Sequence, residues 1–376
     1  MVEHIDRTPS EYSVPDAGTG KKFTVIGAGV IGLLTALELR ARRHDVEVIA
    51  PNAHNRGGQD VTSSIAVGQF LPFVPPEHAK NLMQGNIGDL EGITDHSRGF
   101  YELLSRNPKL TGVMPVNNLE LVSSTSPWPE GLKEAMKARN IDMPEGEVIT
   151  LKGPEGEEVS YDELLEFPTF SINTRKTLEY LLRTAKENGI VLTEKSIRPD
   201  ELADLDGVII NASGQNSQEL DSSKGMVDMF KGHTFVIRPR PGQALPEYAF
   251  SVDDLIFMPR EDDTIVMGAL YIEDPKRPIP EEEEANELFI RLGKLIEKVQ
   301  DLVPGLDARL ISNSDILVHS AGYRVELKEN KGGGARISPD EEITNLLHAY
   351  GFGGIGWSVG PRIAQLISSM AEDMHP

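Results

Sequence analysis

The chain has 376 residues, and its 59 Asp and Glu outnumber its 37 Lys and Arg, giving a formal charge of −22. At roughly 100–200 residues per domain this length suggests about two domains, and a chain this acidic repels phosphate backbones and anionic lipid, which argues against nucleic-acid and membrane partners. The composition, 39% hydrophobic and 26% charged, is that of a globular protein, and the lack of cysteine excludes disulfides, thiolate nucleophiles, iron–sulfur clusters and Cys-ligated zinc.

Residues 1–21 are polar, carry Pro9 and Pro15 and lack the apolar core of a signal peptide, so a loose tail is expected there. No apolar run approaches membrane-spanning length. The C-terminal Met374-His375-Pro376 is not a Ser-Lys-Leu-type address, and the expected location is the cytoplasm.

Order begins with an apolar strand at Lys22–Ile26. It runs straight into Gly27, Gly29 and Gly32 at the G-x-G-x-x-G spacing. A helix is expected over 31–43, with Leu33, Leu34, Leu37 and Leu39 on its apolar face, and a second strand over 45–50. Strand, glycine turn, helix and strand within about 30 residues is the context a dinucleotide-binding turn requires. The first glycine permits the tight turn, the second lets backbone approach a pyrophosphate, and the third lets helix pack on strand. The helix N-terminus then offers unpaired N–H groups to phosphate. The usual acidic ribose ligand at the end of the second strand is missing; Asn52 stands nearest, which argues against ordinary NAD recognition.

From 77 to 170 the pattern is irregular and rich in proline. Order returns with a helix over 174–186 and strands at 190–192 and 207–212, the last running into Ser213-Gly214. Residues 231–238 and 255–271 read as antiparallel strands, with a turn at Glu261-Asp262-Asp263. Residues 281–299 read as an amphipathic helix whose opening Glu281–Glu284 run is a solvated first turn complementing the helix dipole. The distal block from His348 to Ile367 places Gly351, Gly353, Gly354 and Gly356 ahead of another helix, with Gly360 and Pro361 in its early turns. A second glycine-to-helix junction can lay backbone against a flat ring and aim a helix N-terminus at developing negative charge. The histidines show no metal-ligand spacing, no serine sits in a nucleophile elbow, and no metal is expected.

In their order and spacing these blocks resemble the flavin-dependent D-amino acid oxidases. The glycine turn and its helix, Thr62–Phe73, Ile172–Leu182, Gly207–Gly214, the 231–271 strands, Ala321–Leu327 and the distal glycine block together cover about residues 22 to 370. The resemblance implies an α/β fold with a Rossmann-like FAD-binding domain and a mixed, mostly antiparallel substrate domain. It implies segments 22–76, 172–226 and 327–376 in the first domain, and 77–171 and 227–326 in the second. It implies non-covalent FAD, held by Gly27, Gly29, Val30, Ile31, Gly32, Asn52, Ser63, Ser64, Val67, Gly68, Gln69, Ile197, Ser213, Gly214, Arg336, Gly353, Gly354, Ile355, Gly356, Trp357 and Ser358. Among these, Val67, Gly68 and Gln69 fall at flavin-ring positions.

The same resemblance makes Arg324 the clamp on a substrate carboxylate, with Gly354 and Tyr323 beside it at the reacting centre. A guanidinium suits that task because it pairs bidentately and fixes orientation as well as charge. The implied reaction is hydride transfer from Cα of a D-amino acid to flavin N5, giving an imine, then a 2-oxo acid and ammonia, with oxygen reduced to hydrogen peroxide. Two departures bear on the substrate. Ile256 stands where the family carries a lid tyrosine, leaving Tyr323, Tyr271, Phe352 and Trp357 as candidate substitutes, and Phe352 stands in place of the usual histidine. Both losses suit an apolar, larger or cyclic amino acid. They also leave open glycine, a secondary amino acid or a biosynthetic amine. Rival expectations are a nicotinamide dehydrogenase using the first glycine turn alone and a non-catalytic FAD-binding protein. Partners are then a small amino acid or amine and oxygen; a homodimer is one admissible assembly.

Overall fold

The computed structural model describes residues 20–51, 62–74, 90–122, 132–134, 136–137, 149–152, 158–161, 163–223, 227–243, 245–252, 255–268, 272–273, 282–300, 303, 306, 316–328 and 335–375. Asn52 and Tyr271 lie outside the described residues. In chain order the described strands are β1 (Lys22–Ile26), β2 (Asp45–Ala50), β3 (Val113–Val122), β4 (Ile149–Lys152), β5 (Glu158–Tyr161), β6 (Glu163–Ile172), β7 (Val191–Glu194), β8 (Val208–Asn211), β9 (Val227–Ile237), β10 (Tyr248–Val252), β11 (Leu255–Pro259), β12 (Ile265–Gly268), β13 (Ile272–Glu273), β14 (Ile316–Leu327), β15 (Arg336–Pro339) and β16 (Leu346–Tyr350). The described α-helices are α1 (Val30–Ala41), α2 (Thr62–Ile65), α3 (Leu90–Leu104), α4 (Pro108–Thr111), α5 (Thr174–Glu187), α6 (Glu282–Val299) and α7 (Gly356–Asp373).

One sheet has the order β15-β16-β8-β1-β2-β7, parallel except for β15. Its central strands are apolar on both faces, as a parallel sheet covered on two sides requires. Phe23, Val25, Val208 and Ile210 face a core shared with α1, α5 and α7, while Ile26, Ile209 and Leu346 face a smaller core with Leu202 and Leu220. Helix α1 lies close to β1 because Gly32 has no Cβ; one there would collide with the Gly27 carbonyl oxygen.

The second sheet runs β13-β9-β12-β11-β10-β3-β6, with β14 also paired to β9. The strands expected at 231–238 and 255–271 are here, the former beginning earlier, at Val227, and the latter broken at the expected turn into β11 and β12. The stretch from 77 to 170, irregular in sequence, supplies the long antiparallel pair β3–β6. Side chains alternate between two faces along every strand. Phe235, Ile237, Phe250, Phe257 and Met267 pack under Leu288, Leu292 and Ile296 of α6, spaced four apart on one side of that helix. Val236, Ala249, Met258 and Val266 occupy the other face, against Val67. A two-stranded ladder, β4–β5, stands apart from both sheets.

Two sequence expectations are corrected. Glu282 and Glu283 are exposed, but Glu284 is not part of a merely solvated turn: it pairs with the buried Lys231 and with His233 Nε2 at 3.1 Å. Pro361 is the sixth residue of α7, past the turn where a missing N–H costs little. The Trp357 carbonyl, four residues earlier, would receive that N–H; it receives the buried Tyr101 hydroxyl instead. Tyr101→Phe is therefore expected to strand a buried carbonyl and lower stability by about 1–3 kcal/mol. Chemical denaturation checks this, and an unchanged midpoint would count against it.

Candidate active site

The glycine turn after β1 is built as its sequence requires. Gly27 has φ +112°, and a Cβ there would collide with the Ala212 carbonyl oxygen. Its N–H donates to Ile49 at 2.9 Å. Gly29 stands at the N-cap of α1 without a side-chain cap, and the first turn of α1 carries no acidic residue, so the positive end of the helix is uncompensated. The Val30 N–H donates to Ser63 Oγ at 3.2 Å, which brings α2 to the helix start.

A cleft of about 390 Å³ opens there. Of the residues expected to hold cofactor, Gly27, Gly29, Val30, Ile31, Ser63, Ile197, Ser213, Gly214, Gly353 and Gly356 line it. A Cβ built on Gly214 or Gly354 meets nothing within 4 Å. The cleft thus has glycine walls at both junctions, as a dinucleotide with a flat ring requires. Gln69 supports the fit: its Nε2 is buried without a hydrogen-bond partner, in the segment expected along the ring.

Other expected contacts do different work. Gly32 is a packing glycine. Gly68 has φ +83°, and its carbonyl accepts from Ile172 N at 2.8 Å, which ties the segment leaving α2 to the end of β6. The Ser64 carbonyl accepts from Thr174 Oγ1 at 2.9 Å. Trp357 Nε1 donates to the Ser63 carbonyl at 3.0 Å, and Ser358 Oγ accepts from Leu71 N at 2.8 Å. These two side chains tie the start of α7 to the 62–71 segment, and neither lines the cleft. Ile355 is the buried N-cap of α7. Arg336 also lies off the cleft wall, with Nε 3.1 Å from buried Asp221.

Lys195, Gln215, Asn216, Thr62 and Tyr350 line the cleft although nothing in the sequence singled them out. The signal available for Lys195, Gln215, Asn216 and Tyr350 was position: each sits within a few residues of a parallel-strand C-terminus or a glycine turn, where open α/β sheets place ligands.

On β14 the parity of the strand decides which residues meet. Arg324 pairs across with Phe230 and shares a face with Gly322 and Glu326; Tyr323 pairs with Lys231 and faces the other way. Gly322 lies under Ile65 of α2, and the Glu326 carboxylate lies against Cα of Gly353. Arg324 therefore stands on the sheet face that meets α2 and the distal glycine turn, the face that also carries Ile256, Met258 and Val236. Tyr323 faces the opposite side of the sheet from Arg324, toward Lys231. Burial and the nearby Glu284 charge push its hydroxyl up.

The cluster behind Tyr323 is compact. His233 Nδ1 lies 3.1 Å from His319 Nε2, and His319 stacks on Phe235 with centroids 4.5 Å apart. Burial, with the His233 and Lys231 charges, pushes His319 down to about 4. Burial pushes the Glu284 carboxyl up, but the Lys231 and His233 contacts outweigh it and hold it below the usual range.

The fold and the cleft define a flavin-binding oxidoreductase, and comparison with known proteins agrees. The chain belongs to the family described as DAO, FAD dependent oxidoreductase, whose pattern matches residues 22–370. It is 22% identical over 380 residues to a D-aspartate oxidase of Talaromyces thermophilus, covering 92% of this chain and 95% of that protein. It is 23% identical over 364 residues to a D-amino-acid oxidase of Rubrobacter xylanophilus, covering 93% and 95%. Its fold is similar to the crystal structure of glycine oxidase from Geobacillus kaustophilus, with TM-score 0.67 and 17% identity over 95% of this chain and 96% of that one. The protein is an FAD-dependent oxidoreductase. Among the described residues no helix is long and apolar enough to cross a membrane.

Proposed function

We propose that the chain oxidises a D-amino acid to its 2-oxo acid. The observation that carries this reading is Arg324 on the sheet face that meets α2 and the distal glycine turn. FAD, held by the glycine turns at the two ends of the cleft, would supply the two-electron chemistry, accepting the hydride equivalent of the substrate Cα–H bond with oxygen as the final acceptor. With water, the balance is amino acid plus oxygen to 2-oxo acid, ammonia and hydrogen peroxide.

The protein's own part is placement. Arg324 grips the carboxylate and so fixes which Cα–H bond points at the cofactor. Ile256, Met258 and Val236 form an apolar wall that excludes water. Gln69 Nε2 offers a donor along the ring segment, and the N-terminus of α7 directs its positive end toward the same region. Handedness is taken from the named activities of the two relatives. The two sheets also support the division into segments 22–76, 172–226 and 327–376 against 77–171 and 227–326, although Ile93, Tyr101 and Leu104 of α3 pack in the core of the first. A second reading, oxidation of glycine or a secondary amine, draws on Ile256, which leaves the lid without its tyrosine hydroxyl.

Anaerobic flavin absorbance tests the proposal with matched pools of D- and L-amino acids. Bleaching by the D pool alone is expected. A flavin that stays oxidised with both pools, and with glycine and secondary amines, overturns it.

Glu326 refines the substrate. Its carboxylate shares the Arg324 face, so a second carboxylate on the substrate meets like charge there. Glu326→Gln is expected to raise kcat/KM for D-aspartate relative to a neutral D-amino acid by roughly tenfold, about 1.4 kcal/mol. An unchanged ratio would remove Glu326 from the specificity argument.

A further inference from the structure

Behind the cleft wall lies a buried polar cluster that none of the chemistry above uses. It joins β8, β15 and β16 through Asn211, Asp221, Arg336, Asp340, His348 and Tyr350, all less than a tenth exposed. Asp221, Asp340 and His348 lie close enough together to suggest a metal site. The Arg336 guanidinium, 3.1 Å from Asp221, already supplies the positive charge a cation would bring.

The hydrogen bonds fix one form of His348. Asn211 Oδ1 accepts from Ser213 Oγ at 2.7 Å, so the other end of its amide is Nδ2. That nitrogen donates to the Ser217 carbonyl at 2.9 Å and lies 3.2 Å from His348 Nδ1. Nδ1 must therefore accept, and the ring proton sits on Nε2, 2.9 Å from Asp340 Oδ2. Asp340 needs no further proton, because Ser222, Glu342 and Ile343 also donate backbone N–H groups to it. A second proton on His348 would set N–H against N–H at Asn211. Turning the Asn211 amide over would relieve that, but it would remove the acceptor from Ser213 and set oxygen against the Ser217 carbonyl. Ser213 and Tyr350 both line the cofactor cleft, and the Tyr350 hydroxyl donates to Asp221 in the same cluster.

We propose that His348 is a positioning residue that makes cofactor retention proton-dependent: the chain holds FAD with His348 neutral and releases it when His348 takes up a second proton. The groups facing His348 are Asp340 and Asp221, which favour its charged form, and Arg336, which with burial opposes it; burial is the largest influence and the imidazole lies below its ordinary value. Asp340 is held far below the carboxylate range by its donors, despite burial, and does not titrate in the same window. The sign follows. Neutral His348 is secured above pH 6.5, and the structure it supports is lost as pH falls below that value through the lowered one. By linkage, one proton changes FAD affinity by at most about tenfold per pH unit.

The test is release of FAD from the holoenzyme between pH 8 and 5, read as the fluorescence of free flavin on dilution. Wild type is expected to hold FAD evenly above pH 7 and to weaken below pH 6.5, with a slope approaching that limit. His348→Gln keeps a donor toward Asp340 without a titrating ring and is expected to flatten the profile. Asn211→Asp gives Nδ1–H an acceptor, so the charged ring no longer meets N–H, and it is expected to move the release midpoint to lower pH. A flat wild-type profile overturns the proposal, as does an unchanged slope in His348→Gln. If His348→Gln does not hold FAD at any pH, Asn211→Asp decides: an unmoved or upward midpoint overturns the proposal and a downward one sustains it.

Discussion

Arg324→Ala is expected to lower kcat/KM by roughly 10²–10³-fold while FAD stays bound. Truncating one partner of a buried, hydrogen-bonded charge pair costs about 2–5 kcal/mol, and each 1.4 kcal/mol is about tenfold. The substrate carboxylate would be left desolvated and unaimed, so both affinity and the angle of Cα–H to the ring would suffer. The cofactor should be indifferent, because Arg324 is absent from the cleft lining while its neighbour Val325 is present. Arg324→Lys should recover only part of the loss, since a point charge cannot make the planar two-pronged pair. The measurement is anaerobic flavin reduction against substrate concentration, with the flavin spectrum as the control on binding. A loss of less than about threefold would show that this arginine does not hold the substrate carboxylate.

How far the sequence anticipates this site differs by element. The first glycine turn is legible because its parts are contiguous: strand, turn and helix follow each other, and Gly27 and Gly32 each meet backbone oxygen within the same unit. The distal turn is legible as a glycine cluster, but its partners are not. Gly353 is held by a hydrogen bond from its N–H to the Val325 carbonyl at 3.1 Å and covered by Glu326, both about 27 residues upstream. No local pattern announces such a contact. Tyr323 shows the same limit at shorter range. Its type and its place beside Arg324 suggested a shared role, whereas strand parity puts neighbouring residues on opposite faces. The pairing of β14 with β9 sets which face is which, and that register depends on a partner almost a hundred residues away. Long-range pairing likewise hid the β3–β6 pair within proline-rich sequence, where Pro115 and Pro168 sit inside strands. Arg336 and Glu284 are further cases: charged residues read as a cofactor contact and a solvated turn prove to be committed to buried partners, Asp221 and Lys231.

The two inner glycines of the first turn should separate under mutation. Gly32→Ala is expected to lower the thermal midpoint of the apoprotein by roughly 2–4 °C. The built Cβ collides with the Gly27 carbonyl oxygen inside the α1–β1 contact, and overpacking of this kind costs about 1–3 kcal/mol or more. Neither partner can move away: one is turn backbone pinned by the Gly27–Ile49 hydrogen bond, and the other is a helix buried along most of its length. Gly29→Ala meets only the Ser63 hydroxyl, at 3.1 Å, with a backbone conformation any residue adopts. It should leave the apoprotein midpoint within about 1 °C, yet weaken FAD binding by about tenfold or more. The methyl group stands where backbone must approach the pyrophosphate, and it pushes on the hydroxyl that meets the first N–H of α1. Thermal unfolding of the apoprotein and FAD titration, run on both variants, measure the two effects independently. If Gly29→Ala destabilised the apoprotein as much as Gly32→Ala, the turn would be shaped by packing alone and not by the ligand.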